Sequence, residues 1–245
     1  LVGSEMCIRD SYIILLIVAI MTTNYSEHCQ YSIRLIDRLE SLDTQNVLDF
    51  ELINKAIYWA KKYHGNQKRK SGEPYYSHPL EVAYMVSDYK LKTDLIVASI
   101  LHDIVEDTEV TAGMILDNFS WRITEMVDRL TRDRPDGTKL SVEEVLNNAY
   151  QKQDEEVLLI KLFDRLHNLT TLDAMTSEKK KKIALETLGS FVLLALSIDS
   201  TTEQLMTKLC FSYLKLNYFQ PSFSFTSSKL KPQELESLKD IIPYI

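Results

Sequence analysis

At 245 residues the chain has room for one large domain, or one domain with appendages. Its apolar content of 45% supports a real core, and a net charge of −7 argues against nucleic-acid binding as its main task. Cys7, Cys29 and Cys210 are far apart and form no CxxC pair, which suits a reducing, cytoplasmic setting and supplies no zinc knuckle.

Six glycines and six prolines are few for this length, and long periodic runs dominate. The expected fold class is therefore all-α. Residues 1–24 differ from the rest. Tyr12 to Met21 is a ten-residue apolar run, about half of what a bilayer span needs, so no membrane partner is expected. The run could pass for a signal-peptide core, but Glu5 and Asp10 spoil a basic leader and no A-x-A-like cleavage site follows. The opening LVGSEMCIRDS resembles translated sequencing-adapter read-through, which would make Met21 the start. Residues 1–20 are left out of fold and function reasoning.

Residues 25–62 read as helical. Tyr31 to Leu42 places Ile33, Ile36 and Leu39 on one face, and Phe50 to Tyr63 lines Leu52, Ile53, Ala56, Ile57 and Ala60 against a core. His64 to Pro79 (HGNQKRKSGEPYYSHP) is a structured loop punctuated by Gly65, Gly72, Pro74 and Pro79. Lys68, Arg69 and Lys70 stand in a row there, and on their own they read equally well as a basic surface loop. The loop ends on His78, and Pro79 can serve as the first residue of the next helix, whose face continues through Leu80, Val82, Ala83 and Val86.

Leu95 to Thr108 (LIVASILHDIVEDT) sets His102 and Asp103 side by side in an apolar run, with Glu106 and Asp107 one turn later. A continuous helix would stack His102 over Glu106 and Asp103 over Asp107. Ionisable groups among Ile, Leu and Val cost several kcal/mol unless a cation or close partners compensate them. Four of them within six positions point to a site.

Ile115 to Leu130 reads as one amphipathic helix, followed by a turn-rich connection from Thr131 to Lys139. Ser141 with Glu144 fits a capping box. Val157 to Thr171 (VLLIKLFDRLHNLTT) is a second apolar run interrupted by Asp164, His167 and Asn168, with Asp164 and Asn168 sharing a face. The lysines at 179–182 read as a solvated face of a helix running to Leu188. Residues 201–245 turn aromatic and Ser-rich, with a short helical run at Gln233 to Ile242.

His78, His102, Asp103 and Asp164 together are two imidazoles and two carboxylates, a donor set that suits Mn²⁺ or Fe²⁺ better than a thiolate zinc site. The pattern H…HD…D resembles the HD superfamily of metal-dependent phosphohydrolases. HGNQKRKSGEPYYSHPLEVA, LHDIVEDT and IKLFDRLHNLTTL in this order resemble, more narrowly, the hydrolase domain of RelA/SpoT-type enzymes, which remove pyrophosphate from the 3′ position of (p)ppGpp. The resemblance covers roughly Phe50 to Leu196.

The resemblance implies an HD-domain helical bundle over residues 25–200 and a (p)ppGpp substrate that lowers to GDP or GTP. It implies one Mn²⁺ held by His78, His102, Asp103 and Asp164. Glu106 and Asp107 would position and deprotonate the attacking water. Arg69, Lys70 and Ser71 would line the nucleotide pocket, and Asn168 and Thr171 would contact its sugar and base side. With the ligand set filled, His167 is expected as a packed residue or a support behind a ligand. His64 is read as a pocket-rim residue, and Glu73 and Tyr75 as residues that shape the loop.

Two departures stand out. Family members with both activities carry a synthetase domain after the hydrolase domain, and residues 201–245 read as the start of a linker to a missing one, or its remnant. The segment FVLLALSID also lacks the proline usual in the family. Two other readings are an HD phosphohydrolase for a different nucleotide and an inactive nucleotide-binding fragment. The RKSGEPYYSHP loop speaks against the first, and the intact Glu106–Asp107 pair against the second.

Overall fold

Capping residues decide where the helices of this chain begin, and in the computed structural model, which describes residues 29–134 and 136–216, they do so repeatedly. The first helix is α1 (Gln30–Leu42). Asp49 then accepts from the Leu52 N–H and opens α2 (Phe50–His64), which ends on Gly65 with a φ of 49°. α3 (Ser77–Ser87) is followed by α4 (Thr93–Leu101) and the single turn α5 (Ile104–Asp107). Thr111 and Ser120 cap α6 (Ala112–Asn118) and α7 (Trp121–Leu130). The expected capping box of Ser141 and Glu144 opens α8 (Val142–Gln151), and Asp154 caps α9 (Glu155–Thr170). A 3₁₀ turn at Leu172–Ala174 leads to α10 (Ser177–Ser190), α11 (Val192–Ile198) and α12 (Ser200–Leu214). Each cap satisfies an N–H that the first turn leaves over, a contribution of ~1 kcal/mol.

The fold is all-α, as expected. Two isolated antiparallel bridges, Lys68 with Pro74 and Asp133 with Lys139, are the strand-like pairings among the described residues. α4 is the centre of the core. Leu95 through Leu101 are all buried, as a helix apolar on every side must be, and α2, α3 and α7 enclose it. α9 packs across α3, α7 and α8 and brings its own apolar run, Val157 to Phe163, into the same core. No helix among the described residues is long and apolar enough to cross a membrane.

Several boundaries differ from the sequence reading for local reasons. The helix expected over Ile115 to Leu130 is two, because Ser120 caps a new start and Phe119 turns to pack edge-on against Trp59 at 5.1 Å. α1 buries Leu39 and sets Ile36 against the core as expected, but Ile33 faces out and Leu35 takes its place inside. Pro79 is the third residue of α3, not its first; its missing N–H still falls in the turn that needs none. The run expected to be one helix from Leu95 to Thr108 breaks at His102 and Asp103.

The segment after residue 200, read as the start of a tail, opens with α12. This helix buries Met206 and Cys210 and packs on α10 and α11. The Tyr89 hydroxyl donates to its cap, Asp199, at 2.7 Å, and the Tyr213 hydroxyl donates to the Leu169 carbonyl of α9 at 3.0 Å. The expected leader and the helical run at Gln233 to Ile242 lie outside the described residues.

Candidate metal centre and nucleotide cleft

Three elements converge on one point: the first turn of α3, the C-terminal end of α4 and the middle of α9. They bring His78, His102 and Asp164 together so that one ligand-capable atom from each lies within 4.8 Å of the others. His78 Nε2 is 3.2 Å from Asp164 Oδ1, and Asp103 Oδ2 lies 3.5 Å from His78 Nε2 and 3.1 Å from His102 Nε2. All four expected ligands therefore face one another.

The break in the central helix creates this arrangement. His102 Nδ1 donates to the Ser99 carbonyl at 2.8 Å, the acceptor that a continuing helix would offer to the Asp103 N–H. The chain turns there instead, and Asp103 swings into the site. The same bond fixes the proton of His102 on Nδ1 and aims Nε2 inward. That nitrogen is buried without a hydrogen-bond partner, since Asp103 Oδ2 lies close but off its bonding direction. A ring nitrogen facing two carboxylates calls for positive charge between them, either a proton on Nε2 or a cation in its place. The residues fit a divalent metal with N and O ligands.

Electrostatics agree with the geometry. Burial works against ionised Asp103, but the neighbouring His102 and His78 hold its carboxyl well below the usual range. Asp164 is likewise lowered, with His78 and Lys161 outweighing its burial. Burial alone would pull His102 down; Asp103 and Asp164 lift it to about 9. The pocket thus holds two carboxylates that stay charged, with protonated His102 as a positive partner in the metal-free state.

Asp107 keeps the expected place one turn after Asp103: its N–H reaches the Asp103 carbonyl at 3.0 Å, and the Tyr75 hydroxyl meets both carboxylates. Glu106 turns toward α7 and α8, where the Arg132 backbone N–H donates to it and Lys139 Nζ lies at 3.2 Å. Asp107 receives the Tyr75 hydroxyl at 2.5 Å. Burial, with Asp103 adding, raises the Asp107 carboxyl above its ordinary value despite that hydrogen bond.

The loop before α3 folds over the site on a tight turn. Arg69 N–H donates to the Glu73 carbonyl at 2.9 Å, and Gly72 takes a φ of 95° that side chains rarely adopt. Arg69 Nη2 then donates to Asn168 Oδ1 at 3.0 Å and Thr171 Oγ1 at 2.9 Å. Asn168 Nδ2 in turn donates to Asp164 Oδ1 at 2.6 Å. Three of the expected nucleotide contacts are therefore linked in a chain that ends, through Asn168, on the Asp164 carboxylate. Lys70 and Ser71 stand exposed on the same turn, apart from the cavity wall.

That wall encloses a cleft of about 310 Å³ running from Asp164 between α8, α9 and α10. Arg69, Arg132, Lys161, Arg165 and Lys179 line it against two carboxylates, Asp164 and Glu186. In a chain of net charge −7 this is a local reversal of sign, suited to an anion carrying several charges. Val142, Val145 and Phe191 supply an apolar side.

Sequence reasoning missed some members of the site. Tyr75, read as a loop-shaping residue, reaches both Asp107 and Asp103, the latter at 3.3 Å. His64, read as a rim residue, is 2% exposed, stacked on Tyr75 at 4.7 Å and bonded through Nδ1 to Gln67 Oε1. Lys161 Nζ lies 3.7 Å from Asp164 Oδ2, and its place three residues before Asp164 in an apolar run was a usable signal. The Arg132 backbone contact had none. His167 behaves as expected, packed behind His78 with their Nδ1 atoms 2.7 Å apart.

Residues 56–197 match the HD domain family. A protein named GTP pyrophosphokinase from Myxococcus xanthus is 37% identical over 199 residues, 78% of this chain and 24% of that protein. A guanosine-3′,5′-bis(diphosphate) 3′-pyrophosphohydrolase from Aquifex aeolicus is 34% identical over 221 residues, 87% of this chain and 31% of that protein. The chain thus spans about a quarter to a third of the length of these curated relatives. A solved structure described as "A metazoan ortholog of SpoT hydrolyzes ppGpp and plays a role in starvation responses" aligns with a TM-score of 0.54 at 24% identity. It covers 68% of this chain and 97% of its own, and shares the fold.

Proposed function

The chain belongs to the HD domain family, and from that footing we propose that it is a Mn²⁺-dependent (p)ppGpp 3′-pyrophosphohydrolase acting in the cytoplasm. It releases pyrophosphate and leaves GDP or GTP, lowering the stringent-response alarmone. The observation that carries this reading is the inward-facing group of His78, His102, Asp103 and Asp164 at the mouth of a cation-lined cleft. The names of the relatives from Myxococcus and Aquifex support the choice of substrate. The free Cys29 and Cys210 suit a reducing compartment.

In this reading His78, His102, Asp103 and Asp164 hold the ion. A bound divalent cation lowers the pKa of water and polarises a phosphoryl oxygen. The chain's own groups do the rest. Asp107, its carboxyl raised by burial, accepts the proton of the attacking water. Glu106, fixed by the Arg132 N–H and Lys139, orients that water. A water oxygen bonds to the phosphorus on the 3′ oxygen, the 3′ O–P bond breaks, and the 3′ oxygen takes a proton from solvent to leave the hydroxyl. Arg69 and Lys161 offset the phosphate charge, while Asn168 and Thr171 contact the sugar and base side. Lys70 and Ser71, exposed on the turn, close on the nucleotide from outside.

The test is incubation of the purified chain with ppGpp, with and without Mn²⁺, while pyrophosphate is followed. GDP and pyrophosphate in the Mn²⁺ sample alone are expected. Metal-dependent release of phosphate without pyrophosphate sinks the reading, and turnover of another nucleotide in a parallel panel moves the substrate. Tight ppGpp binding without turnover returns the inactive-fragment reading.

A further inference from the structure

Tyr75 sits where neither loop shape nor core packing requires a hydroxyl. Its oxygen is 2.5 Å from Asp107 Oδ2 and 3.3 Å from Asp103 Oδ2, so it stands between the proposed proton acceptor and a proposed ligand. A phenol has one proton to give, and the shorter contact receives it. The ring is held from behind by the buried His64, stacked at 4.7 Å with 25° between planes. Gln67 closes the unit: its Oε1 meets His64 Nδ1 at 3.0 Å and its Nε2 donates to the Asp107 backbone carbonyl at 2.8 Å. Asp107 is thus gripped at its carboxylate and its backbone by one loop.

We propose that Tyr75 is the positioning residue of the water-activating step. Its hydroxyl engages Oδ2 of Asp107, leaving Oδ1 to face the water, while the His64 stack fixes the ring. This rests on the hydrolase reading above and deepens it. The two carboxylates, Asp103 and Asp107, would otherwise repel each other, and the hydroxyl between them screens that repulsion with a donated proton.

Tyr75→Phe keeps the ring and its stack and removes only the O–H. The expected result on ppGpp is a kcat lower by about tenfold, a fraction of the effect of a proton acceptor, with KM within about twofold of the parent. Mn²⁺ affinity by calorimetry and the thermal midpoint should match the parent chain. A purely structural role would move the midpoint or the metal affinity along with kcat. A parental kcat in Tyr75→Phe overturns the role, as does a loss of kcat that tracks an equal loss of bound Mn²⁺. If the parent chain itself releases no pyrophosphate, the reaction falls and this role falls with it; an active parent with an unaffected variant removes the role alone.

Discussion

The Nδ1 atoms of His78 and His167 lie 2.7 Å apart, one imidazole bonded to another behind the candidate metal centre. Only one of the two nitrogens can carry the proton. His78 Nε2 lies 3.2 Å from the Asp164 carboxylate, which can only accept; with a cation held at Nε2 instead, His78 would carry its proton on Nδ1 and donate it to His167. Burial, with His78 and Arg69 nearby, lowers His167 to about 3, so it stays neutral and able to accept. A neutral His167 would thereby keep the His78 proton on the side away from a bound cation, and the stacked pair holds the ring.

Replacing that acceptor should loosen the metal and little else. His167→Ala is expected to weaken Mn²⁺ binding by about 10- to 100-fold, the usual effect of removing a partner behind a ligand. Titration calorimetry on metal-stripped protein reads this directly. His167→Asn, which keeps an acceptor, should recover part of the loss; equal loss in both variants would reduce His167 to a packing residue.

Metal removal should cost stability, because the partly buried carboxylates Asp103 and Asp164 are then left to His78, His102 and, for Asp164, Lys161. At Mn²⁺ a hundredfold above its dissociation constant, binding contributes about 2.7 kcal/mol, or roughly 5–10 °C in a chain of this size. Asp103→Ala and Asp164→Ala should abolish that increment in differential scanning fluorimetry. A midpoint indifferent to Mn²⁺ in the parent chain would remove the metal centre.

How far could these features be seen in the sequence? His78, His102, Asp103 and Asp164 were legible because ionisable groups inside apolar runs have no cheap explanation. The all-α class was legible from period alone. What was not legible depends on side chains meeting across the fold. The break after Leu101 comes from the His102 ring taking the Ser99 carbonyl, and no propensity signals that competition. Tyr75 was misread because its partners, Asp103 and Asp107, lie on another element. Glu106 and Asp107 share a helical turn yet diverge to different partners, Arg132 and Tyr75, that spacing does not reveal.

Away from the site, Glu156 at the start of α9 is 5% exposed and receives Arg122 at 2.5 Å and Lys92 at 2.9 Å, with Lys90 at 3.3 Å. Burial opposes its charge, but Lys92, Arg122 and Lys90 lower its carboxyl below the ordinary 4.5. A lowered carboxyl stabilises the fold above its unfolded value, and that contribution is lost as pH falls through the folded one. Glu156→Gln should therefore cost about 1–2 kcal/mol at neutral pH, moderated by the half-exposed cations. The difference should shrink between neutral pH and an acid pH below the ordinary carboxylate range. Urea midpoints at the two pH values test it; a penalty that grows in acid would reverse the sign.

The last prediction concerns how the nucleotide is held. Arg69 Nη2 is shared between Asn168 and Thr171, and Asn168 is bonded to the ligand carboxylate Asp164. The guanidinium is therefore already oriented before substrate arrives, at the Asp164 end of the cleft. A preset cation that contacts the ground state and the transition state alike lowers KM without changing kcat. Arg69→Ala should raise KM for ppGpp by about tenfold or more with kcat within a factor of about three, and Arg69→Lys should recover only part, since one ammonium cannot reproduce a fixed fork. Because Arg69 also anchors Asn168, the same variant should weaken Mn²⁺ binding slightly. A kcat collapse at unchanged KM would instead place Arg69 on the reacting phosphate and redraw the orientation of the nucleotide in the cleft.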